Sequence, residues 1–99
     1  MSHIPRRAQR RDSNEKAIVS ELRRMGISVM FGSECDIVCG WRGQNFMFEI
    51  KDPAKLFKAD GVTFRKGAIK ESQSKLRKTW QGQYDIVWST EMILQRIGI

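Results

Sequence analysis

Apolar positions near the start of the chain recur at the spacing of a helix. Ile18, Leu22 and Met25 lie three or four residues apart, after a polar stretch at 12–15 that can cap a helix. A glycine follows the last of them, as it commonly does where a helix ends. The pattern therefore predicts a first helix over about residues 14–25.

The middle of the chain alternates short apolar segments with turn residues, which favours strands. A longer polar stretch then leads to a second helical pattern, a fourth apolar segment and a last short helix. The predicted elements are strands at 27–31, 36–41 and 46–51, a loop at 52–70, a helix at 71–81, a strand at 84–89 and a helix from 89 onward. This order, α-β-β-β-α-β-α, predicts an α/β fold with a mixed four-stranded sheet flanked by helices.

The second and third strands predict a hairpin with a two-residue loop. With Gly43 and Gln44 as a type II′ turn, the apolar residues of both strands fall on one face. The predicted apolar pairs are Trp41 with Phe46, Cys39 with Phe48, and Ile37 with Ile50. On the other face the predicted pairs are Gly40 with Met47, Val38 with Glu49, and Asp36 with Lys51. This register brings two carboxylates and an amine to one face of neighbouring strands.

Such a group of charges predicts a metal site. Two carboxylates about 4 Å apart repel by roughly 4 kcal/mol at an effective dielectric near 20, and a divalent cation removes that repulsion. Carboxylate oxygens are ligands that Mg²⁺ prefers, and Lys51 could steady an attacking water or the charge developing on a phosphate. A metal ion and a cation together supply what phosphodiester cleavage needs, namely a polarised phosphate, an activated water and a stabilised leaving oxygen. The alternative is a cross-strand ion pair between Asp36 and Lys51, with Glu49 merely solvated.

The charge balance predicts a polyanionic partner. The chain has 99 residues and a net charge of +7, from 18 Lys and Arg against 11 Asp and Glu, and DNA is the partner expected. Residues 1–12 are predicted to be a flexible basic arm, although such a basic stretch is equally common as a plain disordered end. Residues 13–99 are predicted to form a single domain. The side chains expected to contact phosphates are Arg6, Arg7, Arg10, Arg11, Lys55, Lys58, Arg65, Lys66 and Lys70.

Cysteine usage and hydropathy predict a cytoplasmic protein with no membrane partner. The chain has no run of about 18 apolar residues and no signal-peptide core. Cys35 and Cys39 would lie about 13 Å apart on one strand, beyond disulfide reach. The only histidine is His3, so a zinc site is not expected. We interpret the cysteines as small core residues in a reducing compartment.

Two short segments carry a resemblance to a known family. Asp36-Ile37-Val38 and Glu49-Ile50-Lys51 resemble the core motif of the PD-(D/E)xK nuclease superfamily. With Glu15 in the first helix, Gln73 in the second and the run Gln-Tyr-Asp-Ile-Val-Trp-Ser at 83–89, the chain is similar to the VRR-NUC (virus-type replication-repair nuclease) family over about residues 13–98. A cysteine stands where a proline often precedes the aspartate, and that proline is not a ligand.

The resemblance implies a restriction-endonuclease-like fold and a metal-dependent nuclease site. It implies that Asp36 and Glu49 bind Mg²⁺ or Mn²⁺ together with the Ile50 carbonyl. It also implies that Glu15 contacts the metal or its water shell. From the residues alone, Glu15 could instead serve only to close a capping box at the helix start.

The same resemblance implies roles for Lys51 and Gln73. Lys51 would orient or activate the nucleophilic water, and Gln73 would hold the hydrogen bonds of the site or the substrate. From the residues alone, Gln73 could be only a first-turn helix residue. The function expected is a structure-directed DNA endonuclease that resolves branched DNA such as Holliday junctions, in a bacterium or a phage-infected host. A nicking or flap-cutting repair nuclease and a non-catalytic nucleic-acid-binding module remain as alternatives.

Large apolar residues crowd the last fifth of the chain. They are Trp80, Trp88, Met92, Ile93, Ile97 and Ile99. An exposed apolar patch there would suit a symmetric homodimer, whose two sites could make the paired cuts that a four-way junction needs. The alternative is that these residues close the core of a monomer.

Overall fold

The computed structural model describes residues 13–99, so the predicted basic arm, with Arg6, Arg7, Arg10 and Arg11, lies outside the described residues. The elements are α1 (Ser13–Arg24), β1 (Ser28–Phe31), β2 (Ile37–Trp41), β3 (Gln44–Ile50), α2 (Pro53–Leu56), α3 (Glu71–Thr79), β4 (Asp85–Val87) and α4 (Thr90–Ile97). The predicted α-β-β-β-α-β-α order is confirmed, except that α2 adds one helical turn within the predicted loop at 52–70.

The four strands form one mixed sheet in the order β1-β2-β3-β4. β2 pairs antiparallel with both β1 and β3, whereas β4 lies parallel to β3. The ends of β1, β3 and β4 and the start of β2 therefore meet along one side of the sheet, which we call the carboxyl edge. The predicted α/β fold with a mixed four-stranded sheet flanked by helices is confirmed.

One face of the sheet carries the main apolar core. Side chains from β2 and β3 pack there against Leu22 of α1 and Ile93 of α4, neither of which has measurable exposure. The buried sheet residues are Ile37, Cys39, Phe46, Phe48, Ile50 and Val87. Burying a side chain of this size contributes about 1.5–3 kcal/mol, so this layer holds the sheet in place.

The turn between β2 and β3 differs from the prediction. Its two central residues are Arg42 and Gly43, with φ of 50° and 79°, and positive φ at both positions belongs to a type I′ turn rather than type II′. The twist of a type I′ turn matches that of the flanking strands. The Arg42 guanidinium also lies 5.5 Å from the ring centre of Trp41, a favourable contact for a side chain in this strained conformation.

This turn moves the hairpin by two residues from the predicted register. The observed pairs are Ile37 with Phe48, Val38 with Met47, Cys39 with Phe46, Gly40 with Asn45, and Trp41 with Gln44. A shift of two residues leaves every side chain on its predicted face, because side chains alternate with a period of two. It changes the residues that oppose one another, so the predicted pairing of Asp36 with Lys51 is wrong. The regular pairing begins at Ile37 with Phe48, and Asp36, just before β2, donates its N–H to the Phe48 carbonyl.

The segment at 52–70, predicted to be a loop, contains a helical turn and a strand bridge. The Asp52 carboxylate accepts a hydrogen bond from Ala54 N–H at 2.9 Å and caps α2. Beyond α2, Phe57 and Phe64 form an antiparallel bridge. The basic residues of this segment that are expected to contact DNA are exposed: Lys55, Lys58, Arg65, Lys66 and Lys70.

The apolar residues of the last fifth mostly pack within the chain itself. Ile93 is fully buried, and Met92 and Ile97 pack against the main core. Trp80 and Ile99 remain about half exposed. Much of the predicted apolar surface is therefore used by the monomer, and two large side chains of the group still face solvent.

Both cysteines are free and buried, as predicted. Burial, and to a lesser degree neighbouring Cys35, raises the pKa of Cys39 to about 11, so it remains a neutral thiol within the core. Between residues 13 and 99, no helix has the length and apolarity needed to cross a bilayer.

Candidate active site

Asp36 and Glu49 come together at the carboxyl edge. Asp36 directly precedes β2, and Glu49 is the penultimate residue of β3. The Asp36 carboxylate accepts a hydrogen bond from Ile50 N–H at 2.8 Å, and Asp36 N–H donates to the Phe48 carbonyl at 3.1 Å. Asp36 is therefore hydrogen-bonded to the backbone of Phe48 and of Ile50, the two residues that flank Glu49 in the chain.

Glu49 lies almost entirely out of solvent, with 5% of its surface exposed. Gln73 Nε2 donates a hydrogen bond of 2.7 Å to Glu49 Oε2. Tyr84 Oη lies 3.5 Å from Glu49 Oε1, which is long for a hydrogen bond. A buried carboxylate is costly unless donors satisfy its oxygens, and these two side chains provide donors on both sides.

Gln73 makes hydrogen bonds both at the start of α3 and in the site. Its Oε1 accepts a hydrogen bond from Lys70 N–H at 3.1 Å, at the start of α3. Its Nε2 donates to Glu49 at the same time. The side-chain amide therefore caps the helix and links α3 to the face of the sheet opposite the main core.

Tyr84 belongs to this cluster, although the sequence predicted it only as the first residue of the fourth strand. Burial raises the pKa of Tyr84 above its ordinary value, and the negative charges of Glu49 and Asp36 raise it further. The phenol therefore keeps its proton and can donate toward the carboxylates. The available signal was its position two residues before Ile86, which pairs with Glu49 and puts both side chains on the same face.

Lys51 is anchored through its backbone on both sides. Its N–H donates to the Val87 carbonyl at 2.9 Å, and its carbonyl accepts from Asn14 Nδ2 at 2.9 Å. Asn14 is a further residue that the sequence did not single out, because a polar residue at a helix start is normally read as part of the cap. Its contact docks the first turn of α1 onto the end of β3.

Glu15 follows Asn14 in that first turn and is only 2% exposed. A carboxylate at a helix N-terminus is favoured by the helix dipole. Asp12, which could close a capping box with Glu15 three residues later, lies outside the described residues. Glu15 is therefore buried at the end of α1 that the Asn14 contact docks onto β3.

The donor set fits Mg²⁺ or Mn²⁺. Among residues 13–99, no group of three or more His, Cys, Asp or Glu side chains is arranged to hold a metal ion. Mg²⁺ is commonly bound by one or two carboxylates, with water and substrate phosphates filling its remaining positions. Asp36, Glu49 and the Ile50 carbonyl are oxygen donors of this kind.

No family model matches this chain, and no curated protein or solved structure was found to match it. The contacts that Asp36 and Glu49 make with Ile50, Gln73 and Tyr84 are therefore the observations from which a function can be inferred.

Proposed function

We propose that this protein is a Mg²⁺-dependent endonuclease with a restriction-endonuclease-like fold that hydrolyses phosphodiester bonds in branched DNA. The observation that carries the proposal is the position of Asp36, hydrogen-bonded to the backbone of both chain neighbours of the buried, hydrogen-bonded Glu49. Two neighbouring acids repel one another and gain from a shared divalent cation. A module that only binds nucleic acid would gain nothing from acids facing phosphate, which argues against the non-catalytic alternative.

The chain's own residues divide the chemistry among them. Bound Mg²⁺ would polarise the phosphate and activate a water molecule. Asp36, Glu49 and the Ile50 carbonyl would hold the ion, while Glu15 would contact its water shell. Lys51 would hold the attacking water, whose oxygen bonds to phosphorus as the ester bond to the leaving oxygen breaks.

The positioning residues restrict the motion of the Glu49 carboxylate. Gln73 holds Oε2 through a hydrogen bond, and Tyr84 approaches Oε1. The carboxylate is therefore oriented before substrate arrives, and electrostatic stabilisation is most effective when groups are preorganised in this way.

A cleavage assay on a panel of DNAs tests the proposal. Four-way junctions, flaps, nicked duplexes and linear duplexes are incubated with Mg²⁺, with Mn²⁺ and with EDTA. Cleavage of the junction with either ion and none with EDTA is the expected result. Cleavage confined to flaps or nicked duplexes would favour the repair-nuclease alternative. Folded protein that cuts nothing with either ion would refute the enzymatic proposal.

Affinity for DNA is expected to fall steeply with salt, because exposed cations would neutralise phosphates and release counterions. The logarithm of the binding constant should be linear in the logarithm of salt concentration, with a slope of about −0.9 per phosphate contacted. Deleting residues 1–11 should flatten that slope. Arg24→Ala, at the end of α1 remote from the carboxyl edge, should leave it unchanged. An unaltered slope after the deletion would show that the arm does not contact DNA.

The working unit is expected to be a symmetric homodimer, because a four-way junction has two-fold symmetry and needs two cuts. Trp80 and Ile99, each about half exposed, are the apolar side chains of the last fifth that remain available for an interface. Sedimentation at micromolar concentration should give twice the 11.5 kDa mass of the chain. A species that stays monomeric on junction DNA would contradict paired cutting and favour the nicking or flap-cutting alternative.

A further inference from the structure

Residues 57–64 form a short hairpin, which we call the tip hairpin, and a single aspartate holds its turn. Asp60 Oδ1 accepts hydrogen bonds of 2.9 Å from Val62 N–H and Thr63 N–H. Asp60 Oδ2 accepts one of 2.6 Å from the Thr63 hydroxyl. The Thr63 hydroxyl and these amides lower the pKa of Asp60 to about 2, so the carboxylate that closes the turn is ionised near neutral pH.

The base of the tip hairpin is anchored at the carboxyl edge. The rings of Phe57 and Phe64 lie 5.4 Å apart, and Phe57 meets Trp88 edge-on at 5.1 Å. Trp88 directly follows β4, and Leu56, immediately before the hairpin, is 1% exposed. The hairpin is therefore tied to the side of the sheet on which Asp36 and Glu49 lie.

The tip hairpin presents apolar surface within a basic region. Val62 is 78% exposed and Phe64 is 41% exposed. Val62 lies in the bend at 61–63, and Phe64 lies at the base of the hairpin, where its ring contacts Phe57. Lys58 lies within the hairpin and Arg65 directly follows it, both exposed. The apolar surface would be buried only against a partner, and the surrounding cations favour a polyanion.

We propose that the tip hairpin recognises branch points in DNA, with its cations on the phosphates and Val62 and Phe64 against an unstacked base. In a continuous duplex the base faces are covered by their neighbours, whereas a branch point leaves faces open to apolar and aromatic side chains. Phosphate contacts alone would bind branched and linear DNA alike. The apolar tip therefore supplies the preference for branches. This inference rests on the proposed nuclease function for its role, but the binding itself requires no cleavage.

Equilibrium binding in EDTA tests this inference. The probes are a four-way junction and a linear duplex built from the same sequences, with 2-aminopurine placed at the branch point as a reporter of base stacking. The wild-type chain should prefer the junction and change the 2-aminopurine fluorescence. Val62→Ser removes the apolar contact with the base and should lower the junction-to-duplex affinity ratio about tenfold, a change of about 1.4 kcal/mol.

Two further variants serve as controls. Met25→Ser changes an apolar side chain of 48% exposure that lies between α1 and β1, away from the carboxyl edge, and should leave the ratio unaltered. Lys58→Ala removes a phosphate contact and should weaken binding to both DNAs equally. A wild-type chain without preference for the junction, or a Val62→Ser ratio equal to that of the wild type, would overturn the inference.

The two proposals fail in different ways. A chain that prefers junctions through Val62 but cuts no DNA with Mg²⁺ or Mn²⁺ would refute the nuclease proposal and leave branch recognition in place. A chain that cuts junctions but keeps its binding preference in Val62→Ser would refute the role of the tip hairpin alone.

Discussion

Asp36→Ala, Glu49→Ala and Lys51→Ala should each abolish Mg²⁺-dependent DNA cleavage while leaving the fold intact. The two acids would hold the metal ion, and the lysine would hold the attacking water. None of the three belongs to the apolar core on the opposite face of the sheet. The loss should therefore appear in the cleavage rate, and circular dichroism should show an unchanged fold.

The measurement is the single-turnover rate on the preferred DNA of the panel, at saturating protein. Glu91→Ala is the matched control, because Glu91 is an exposed acid in the first turn of α4 and is expected to keep the full rate. A variant of Asp36, Glu49 or Lys51 that retains more than about a tenth of the wild-type rate, a change of about 1.4 kcal/mol, would show that its assigned role is wrong.

Variants that remove charge alone separate metal binding from structure. Asp36→Ala leaves the Ile50 N–H without its acceptor, which lowers the free energy of unfolding by about 1–3 kcal/mol. This loss offsets the stability gained when the repulsion between the Asp36 and Glu49 carboxylates is removed. Asp36→Asn and Glu49→Gln keep an oxygen that can accept from Ile50 N–H and from Gln73. These two variants should also be inactive, yet melt at a slightly higher temperature than the wild type when no metal is bound.

Gln73→Leu should raise the Mg²⁺ concentration needed for half-maximal cleavage by about 10- to 100-fold. Losing a hydrogen-bond partner of a metal ligand typically reduces metal affinity or activity by that factor. The variant leaves the buried Glu49 carboxylate without its 2.7 Å hydrogen bond from Nε2. The rate is measured against Mg²⁺ concentration, and the melting temperature is measured without metal.

The second readout separates a role in the site from the helix cap that Gln73 also provides. Losing the contact with Lys70 N–H alone would lower the melting temperature and leave the Mg²⁺ requirement unchanged. Gln83→Leu is the matched control. Gln83 Oε1 accepts a hydrogen bond from Met47 N–H at 2.6 Å, and its Nε2 donates to the Met47 carbonyl at 2.7 Å. This variant should lower stability without altering the Mg²⁺ requirement. An equal Mg²⁺ requirement in Gln73→Leu and wild type would mean that Gln73 is only structural.

Much of the fold could be predicted from local patterns. Helical spacing of Ile18 and Leu22 located α1, and alternating apolar residues located β2 and β3 to within two residues. Periodicity also placed Asp36 and Glu49 on one face of the hairpin, because a side chain's face depends only on whether its position is odd or even along the strand. A shift of two residues in the register therefore left the shared face unchanged.

The opposing partner of each residue was decided by the turn. Two two-residue loops were compatible with the apolar pattern, one at Gly43-Gln44 and one at Arg42-Gly43. Moving the loop by one position along the chain changes the partner of every paired residue by two positions. The second places Arg42 at positive φ, which its residue type disfavours. Strand twist and sheet packing outweighed that local preference, and Asp36 bonds the backbone of Phe48 and Ile50 as a result.

The remaining contacts of the site join segments that are distant in the chain. Gln73 reaches Glu49 across 24 residues, Asn14 reaches Lys51 across 37, and Tyr84 approaches Glu49 across 35. The sequence alone determined the elements, the face on which each strand residue lies and the residue types available for metal chemistry. Only the tertiary structure decided which donors surround the acids, because those contacts depend on how helices and loops pack over the carboxyl edge, and no local spacing encodes that packing.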